Sequence, residues 1–240
     1  MSDSEVVPAY GFLVVATEWD SAHGGISTFN REFCAALAKC EHHVYCAVIK
    51  FTSEEFEHAR ALKVTLISPD APIEDELSDI EILSLPLAGI EKTIDFIVGH
   101  ARITGPAALA QKNSRYADAS YVHIIHMDPA QIELEKNPEG AVVRGLARVN
   151  EEVSLAKESI LAVPVGPELF GAYQYHLHEG TQRHEFLPGL FSIDSDAPTP
   201  KTPSCLAFGR GEDFRLKGFD IAAEAVGLAA SERRERSDRR

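Results

Sequence analysis

Short apolar runs rich in β-branched residues alternate along the chain with segments whose apolar residues recur every three or four positions. The first run, residues 12–16 (Phe-Leu-Val-Val-Ala), has no polar alternation and therefore predicts a strand buried on both faces. Comparable runs occupy residues 43–49, 63–68, 95–99, 119–126 and 160–165, with a short one at 185–187. Alternating strands and helices predict a parallel sheet with crossover connections. The predicted fold class is α/β, a Rossmann-like parallel sheet with helices on both faces.

The period of the apolar residues predicts the helices between these strands. On the first helix, one face carries Ile26, Phe29, Phe33, Leu37 and Cys40, and the opposite face carries Asn30, Arg31 and Lys39. Further helices are predicted over residues 53–62, 104–112 with Thr104 as N-cap, 141–159 and 167–179. Residues 70–92 favour no element, and Pro129 indicates an altered loop after the fifth strand.

A change in composition divides the chain. Residues 1–192 are predicted to form the first domain, and 193–204, rich in Pro, Ser, Thr and Asp, a linker. Residues 205–230 predict one strand and one helix, which cannot bury a core of their own, so the second Rossmann-like domain is predicted to be incomplete. Residues 231–240, with five arginines and three acidic residues, predict a disordered basic tail.

The charge of the chain limits its partners. Acidic residues outnumber basic ones 37 to 23, and the net charge of −14 repels phosphate backbones and anionic lipid, so we expect no nucleic-acid partner. No run reaches the roughly 18 apolar residues of a membrane span. The polar, acidic N-terminus does not match a secretory signal, which predicts a cytoplasmic protein. Cysteines 34, 40, 46 and 205 form no CxxC pair and are expected to be reduced thiols.

Gly24 and Gly25 lie where the first strand gives way to the first helix. Glycine lets the backbone approach a ligand closely, and a helix N-terminus presents unpaired N–H groups to an anion. These residues do not fit the GxGxxG dinucleotide fingerprint, which disfavours a nicotinamide or flavin dehydrogenase. The alternative is a tight strand-to-helix turn without a ligand.

Two histidines, His100 and His126, end two of the predicted strands. The carboxyl ends of parallel strands line the ligand crevice of such sheets, where a histidine can bind a sugar hydroxyl or move a proton. The alternative for either residue is a buried structural histidine. His123, which alternates with apolar neighbours inside its strand, is interpreted as a packing residue.

Arg210 follows the predicted strand at 205–209, and Lys217 begins the next helix, so both cations could bind one diphosphate. The alternative is a solvated charged loop. His176, His178, His184 and Glu179 match no known metal-ligand spacing, and no metal site is expected. The GxSxG, HExxH and GxxxxGK[ST] motifs are absent from the sequence, which disfavours hydrolases, metalloproteases and P-loop enzymes.

Taken in order, these features resemble the retaining glycosyltransferases of family 4, which have the GT-B fold of two Rossmann-like domains. The resemblance covers the acceptor-side domain and only the first strand and helix of the donor domain. It is carried by Leu13-Val-Val-Ala-Thr, Gly24-Gly25-Ile26 with Phe29, Asp95-Phe-Ile-Val-Gly-His100, Val122-His-Ile-Ile-His126, Leu187-Pro-Gly189, Phe208-Gly-Arg210 and Leu216-Lys217-Gly-Phe-Asp220.

The resemblance implies transfer of a sugar from a nucleotide-sugar to an acceptor with retention of configuration. Gly24 and Gly25 would lie over the donor phosphates, His126 near the transferred sugar, and His100 would be a candidate contact to sugar or acceptor. Arg210 and Lys217 would neutralise the diphosphate leaving group, so that neither a metal nor another cofactor is needed.

The family's Glu-x7-Glu segment and nucleotide-binding loops have no match in this sequence. We therefore expect the chain to be inactive alone and to need a completing domain or chain. Two alternatives stay open: a non-catalytic module of the same fold that binds a carbohydrate or a protein, and a different Rossmann-like enzyme.

Overall fold

The computed structural model of the chain describes residues 8–21, 25–70, 76–136, 139–177, 180–189, 214–215 and 217–238. In chain order the elements are β1 (Gly11–Val15), α1 (Gly25–Lys39), β2 (His43–Ala47), α2 (Ser53–Ala61), β3 (Val64–Ile67), α3 (Asp79–Leu83), β4 (Phe96–His100), α4 (Ala101–Ser114), β5 (Ser120–Ile125), α5 (Pro129–Lys136), α6 (Ala141–Lys157), β6 (Leu161–Pro164), α7 (Pro167–Tyr173), β7 (Gln182–Arg183) and α8 (Phe219–Asp238). The predicted linker at 193–204 and the predicted strand at 205–209 lie outside the described residues.

Within the described residues, seven strands form one parallel sheet in the order β3-β2-β1-β4-β5-β6-β7. The strand β1 is central, and its Val14 is paired with Cys46 of β2 on one side and Val98 of β4 on the other. The predicted fold class, an α/β Rossmann-like parallel sheet, is confirmed. This strand order places the carboxyl ends of β1, β4 and β5 side by side.

Successive residues of the central strands face opposite sides of the sheet, and helices cover both sides. Val14 and Val98 pack in one core cluster with Cys34 and Ala38 of α1. Leu13, Val15 and Ile97 pack in a second cluster with Leu83 of α3 and with Ala107 and Ala108 of α4. Burial on both faces explains why these strands have continuous apolar sequences.

Three elements differ from the sequence-based expectations. An altered loop was expected at Pro129, but helix α5 begins there. Proline is favourable in the first turn of a helix, where its missing N–H has no intrahelical partner to lose. The last strand of the sheet is Gln182–Arg183, whereas the predicted stretch at 185–187 contributes a single bridge from Phe186 to Val165. Helix α8 continues to Asp238 through most of the segment expected to be a disordered tail.

The chain divides into two compact units, one of Met1–Asp128 with Ala147–Pro188 and one of Pro129–Leu146 with Gly189–Arg240. The first contains the sheet. In the second, Arg144 Nε donates to the buried carboxylate of Glu133 at 2.7 Å, which joins α5 to the start of α6. The domain boundaries at 192, 204 and 230 stay predictions. Among the described residues, no helix has the length and apolarity that crossing a bilayer requires.

Helix α4 packs directly on β4 through two glycines. A Cβ added to Gly99 would lie 2.8 Å from the Cα of Gly105 and 2.9 Å from the Cβ of Ala108. We expect Gly99→Ala to lower the free energy of unfolding by about 2–3 kcal/mol, because the helix backbone must move away from the strand. Urea denaturation measures this loss as a lower midpoint at unchanged m-value.

The matched control is Gly171→Ala in α7, where an added Cβ meets no atom within 4 Å. Alanine is the better helix former, so this variant is expected to gain roughly 0.5–1 kcal/mol. Equal effects of the two substitutions would contradict the close approach of α4 to β4.

Candidate functional site

His100 and His126 meet at the carboxyl edge of the sheet. His100 is the last residue of β4, and His126 follows the neighbouring strand β5. Nδ1 of His100 lies 2.9 Å from Nε2 of His126. The His100 side chain is completely buried, and His126 is partly exposed. The two histidines that the sequence singled out are therefore one hydrogen-bonded pair.

Asn30 of α1 completes this group, and its burial corrects the sequence-based interpretation. It was predicted on the face opposite the apolar residues of α1, yet it is completely buried. Its Oδ1 lies 3.1 Å from Nε2 of His100, and its Nδ2 donates to Sγ of Cys46 at 3.4 Å. Cys34 Sγ lies 3.7 Å from the same Oδ1. The helix period could not predict a buried carboxamide, because the partner of Asn30 lies 70 residues away in the sequence.

Both histidines are neutral at physiological pH. Burial, with a smaller effect from His123, lowers the pKa of His126 to about 4. Burial lowers the pKa of His100 well below its usual value, and the neighbouring His126 and His123 act in the same direction. A buried imidazole without a carboxylate partner is disfavoured as a cation. At neutral pH the pair can exchange hydrogen bonds with a ligand but carries no positive charge.

The backbone that carries His100 is fixed from two sides. The His100 N–H donates to Oγ1 of Thr104 at 2.9 Å, and the Thr104 hydroxyl donates to the carbonyl oxygen of Val15 at 2.7 Å. Thr104 was predicted as the N-cap of α4, but the helix begins three residues earlier, at Ala101, and His100 occupies the cap position. Thr104 instead lies in the first turn and ties β4 to β1.

Ala101 connects the strand to the helix in a strained conformation. Its φ of +46° lies in the left-handed region, which residues with a Cβ seldom adopt. Such strain persists only where the surrounding structure imposes it, and it is concentrated at functional sites. The sharp turn holds His100 at the very end of β4.

Aromatic side chains cover the pair. The ring of Phe29, from α1, meets the ring of His126 edge to face at a centroid distance of 4.8 Å. Phe186 in turn packs against Phe29 at 5.2 Å. This cover excludes water from one side of His126 and contributes to the burial that lowers its pKa.

A family model described as family 4 glycosyltransferase in conflict systems matches residues 13–240. The chain belongs to this family. The resemblance carried by the sequence motifs is thereby confirmed. No curated protein matches the chain by sequence.

Among solved structures, this family 4 glycosyltransferase chain is similar in fold to a sucrose-phosphate synthase from Thermosynechococcus elongatus. The TM-score is 0.55, with 15% sequence identity over 75% of the chain. The match covers 48% of the synthase chain, so this chain spans about half the length of that relative. The similarity supports the α/β Rossmann-like fold of the chain.

The predicted donor-phosphate residues are described only in part. Gly25 is the exposed first residue of α1, and a Cβ added there would meet no atom within 4 Å. The carboxylate of Glu18 accepts a hydrogen bond from Ser27 Oγ at 3.5 Å, so an anion binding at this helix end would lie near a negative charge. Lys217 is exposed in the turn before α8. Gly24 and Arg210 lie outside the described residues, and all four roles stay predictions.

Of the histidines rejected as metal ligands, His176 and His184 are exposed, and His178 lies outside the described residues together with Glu179.

A second buried polar cluster lies behind the histidine pair, and the sequence reasoning found only one of its members. His123, interpreted as a packing residue, is completely buried and hydrogen-bonded at both nitrogens. Its Nδ1 lies 2.7 Å from the hydroxyl of Tyr121, and its Nε2 lies 2.8 Å from Oε1 of Glu152. The other carboxylate oxygen of Glu152 accepts from the backbone N–H of Arg102 at 2.9 Å. Burial is the main cause of the raised pKa of Tyr121. This cluster joins β5, α4 and α6.

Proposed function

We propose that this chain acts in the transfer of a sugar from a nucleotide-sugar donor to an acceptor with retention of configuration. The observation that carries the proposal is the hydrogen-bonded pair of His100 and His126 at the carboxyl edge of the sheet of a family 4 glycosyltransferase. In parallel α/β sheets that edge is where ligands bind. A neutral imidazole suits a contact to a sugar hydroxyl, because it gains the hydrogen bond without desolvating a cation.

In this proposal the diphosphate of the donor binds residues other than the two histidines. Gly24 and Gly25 lie close to the donor phosphates, and Arg210 and Lys217 neutralise the charge that develops on the leaving diphosphate. The two cations take the part that a divalent ion takes in metal-dependent transferases, so the proposed reaction uses no metal or other cofactor. A cytoplasmic location and a completing domain or chain belong to the same proposal.

The test is donor turnover by the protein together with the completing domain or chain of this proposal, followed as nucleotide release from UDP-linked and GDP-linked sugars. We expect His126→Ala to lower kcat about 100-fold, the usual effect of losing one fixed polar contact to the reacting sugar. His43→Ala is the matched control, because His43 is exposed at the amino end of β2, on the opposite edge of the sheet. Equal rates for the two variants would contradict the role of His126.

The same assay tests the phosphate contacts and the alternatives. Lys217→Ala is expected to lower turnover, whereas Lys39→Ala, at the exposed end of α1, is expected to leave it unchanged.

Calorimetry that finds no heat with either donor class would favour a non-catalytic binding module. Preferential binding of reduced nicotinamide would favour a different Rossmann-like enzyme. Assaying the 240-residue chain alone tests the expectation that it is inactive.

A further inference from the structure

We infer that Asn30 and His100 are positioning residues that hold His126 in one tautomer, with its proton on Nε2, so that Nδ1 accepts a hydrogen bond from a ligand hydroxyl. The assignment of the tautomer rests on contacts within the sheet-bearing unit. The assignment of a sugar hydroxyl as the ligand group rests on the proposed function.

The amide of Asn30 sets the direction of the hydrogen bonds. Its nitrogen can only donate, and it donates to Sγ of Cys46 at 3.4 Å. Its oxygen can only accept, and it faces Nε2 of His100 at 3.1 Å and Sγ of Cys34 at 3.7 Å. His100 must therefore carry its proton on Nε2 in order to donate to Asn30.

The proton position of His100 then fixes the proton position of His126. A neutral imidazole has one N–H, so Nδ1 of His100 carries a lone pair when Nε2 carries the proton. The contact of 2.9 Å between that Nδ1 and Nε2 of His126 is a hydrogen bond only if His126 donates. The burial of the rings keeps them neutral, because a second proton would add an unpaired charge to a site where no carboxylate of the described residues contacts either ring.

The remaining nitrogen of His126 determines what the site can bind. Because Nε2 of His126 carries the proton and donates it to His100, Nδ1 carries a lone pair and is an acceptor. No group of the described residues hydrogen-bonds to this Nδ1. The side chain is partly exposed, so a ligand can reach it. An acceptor binds a donor, which favours a hydroxyl group and disfavours a phosphate or carboxylate that has no proton to give at neutral pH. Asn30 and His100 thus favour polyhydroxylated ligands without contacting the ligand themselves, because they fix the tautomer of His126.

The chain of hydrogen bonds has one competing arrangement, in which every donor and acceptor is reversed. If the amide nitrogen of Asn30 faced His100, then His100 would carry its proton on Nδ1 and donate to His126. His126 would in turn present an Nδ1–H donor to the ligand. The two arrangements share the same heavy-atom positions and differ in proton positions, which NMR measures directly.

The deciding experiment is long-range proton–nitrogen NMR of the 15N-labelled protein at neutral pH, without ligand. We expect a pyridine-type shift at Nδ1 and a pyrrole-type shift at Nε2 for both His100 and His126. The opposite pattern at His126 would overturn the inference. This measurement needs no substrate, so a failure of the proposed function leaves its outcome unchanged.

Variants test the positioning role. Asn30→Leu removes the acceptor that faces Nε2 of His100, so His100 is expected to populate both neutral tautomers, and an unchanged single tautomer of His100 would show that Asn30 does not position it. His100→Leu is expected to give His126 a mixture of both neutral tautomers, and His100→Asn, which retains an acceptor close to the former Nδ1, is expected to restore a single one. An unchanged single tautomer in His100→Leu would show that His100 does not position His126.

Turnover by the protein with its completing domain or chain supplies a second readout. We expect His100→Leu to lower kcat roughly tenfold, with much of the loss recovered in His100→Asn, because one fixed hydrogen bond contributes on that scale. A tautomer result as expected, together with no turnover by any variant or by the natural protein, would uphold the positioning and refute the sugar transfer.

Discussion

Replacing Glu152 with leucine is expected to lower the free energy of unfolding by about 3–5 kcal/mol, because two donors lose their shared acceptor at roughly 1–3 kcal/mol each. The carboxylate of Glu152 is completely buried and accepts from Nε2 of His123 at 2.8 Å and from the backbone N–H of Arg102 at 2.9 Å. Leucine fills a similar volume but accepts neither bond. The ring N–H of His123 and the backbone N–H of Arg102 would then lack hydrogen-bond acceptors.

The neighbouring residue provides a matched control. Glu151 lies on the same helix α6 but is exposed, so Glu151→Leu is expected to change the free energy of unfolding by less than about 0.5 kcal/mol. Glu152→Gln, which retains one acceptor oxygen, is expected to fall between the two leucine variants. Urea denaturation of the three variants tests the cluster, and equal midpoints for both leucine variants would contradict its contribution.

The sheet was predictable because its central strands are buried on both faces. That burial requires continuous apolar runs, and the helices between them leave their own period in the sequence. The edge of the sheet was less predictable: β7 pairs through Gln182 and Arg183, neither of which is apolar. The sequence instead predicts a strand at 185–187, where Phe186 is partly buried because it packs on Phe29.

Half of the candidate site was predictable for a geometric reason. Parallel strands end at a common edge, so His100 and His126 were expected at the same crevice, although not in contact. Asn30 and Glu152 were not found, because a polar side chain on an amphipathic helix is expected to face solvent. Each is buried because it meets a histidine from another element, and such pairing is set by the tertiary fold.

Acid is expected to destabilise the protein well before its carboxylates are protonated. The pKa of His126 is lowered from 6.5 to about 4, mainly by burial, and the pKa of His100 is lowered in the same direction. The unfolded chain therefore binds more protons than the folded one between pH 6.5 and 4. The free energy of unfolding is highest above pH 6.5 and falls as the pH decreases toward the folded-state pKa, with His126 alone contributing a loss of about 3 kcal/mol.

Urea denaturation at a series of pH values between 7 and 5 measures most of this loss, in a range where most carboxylates are still ionised. His126→Gln removes one of the two titrating groups and is expected to reduce the slope of the free energy of unfolding against pH. His43→Gln, at an exposed position, is expected to keep the natural slope. Two results would contradict this prediction: equal stability of the natural protein at pH 7 and pH 5, or a full slope in His126→Gln. Either result would mean that the His126 ring is hydrated or paired with an acid in solution. The proposed sugar contact, which depends on a neutral histidine pair, would then lose its basis.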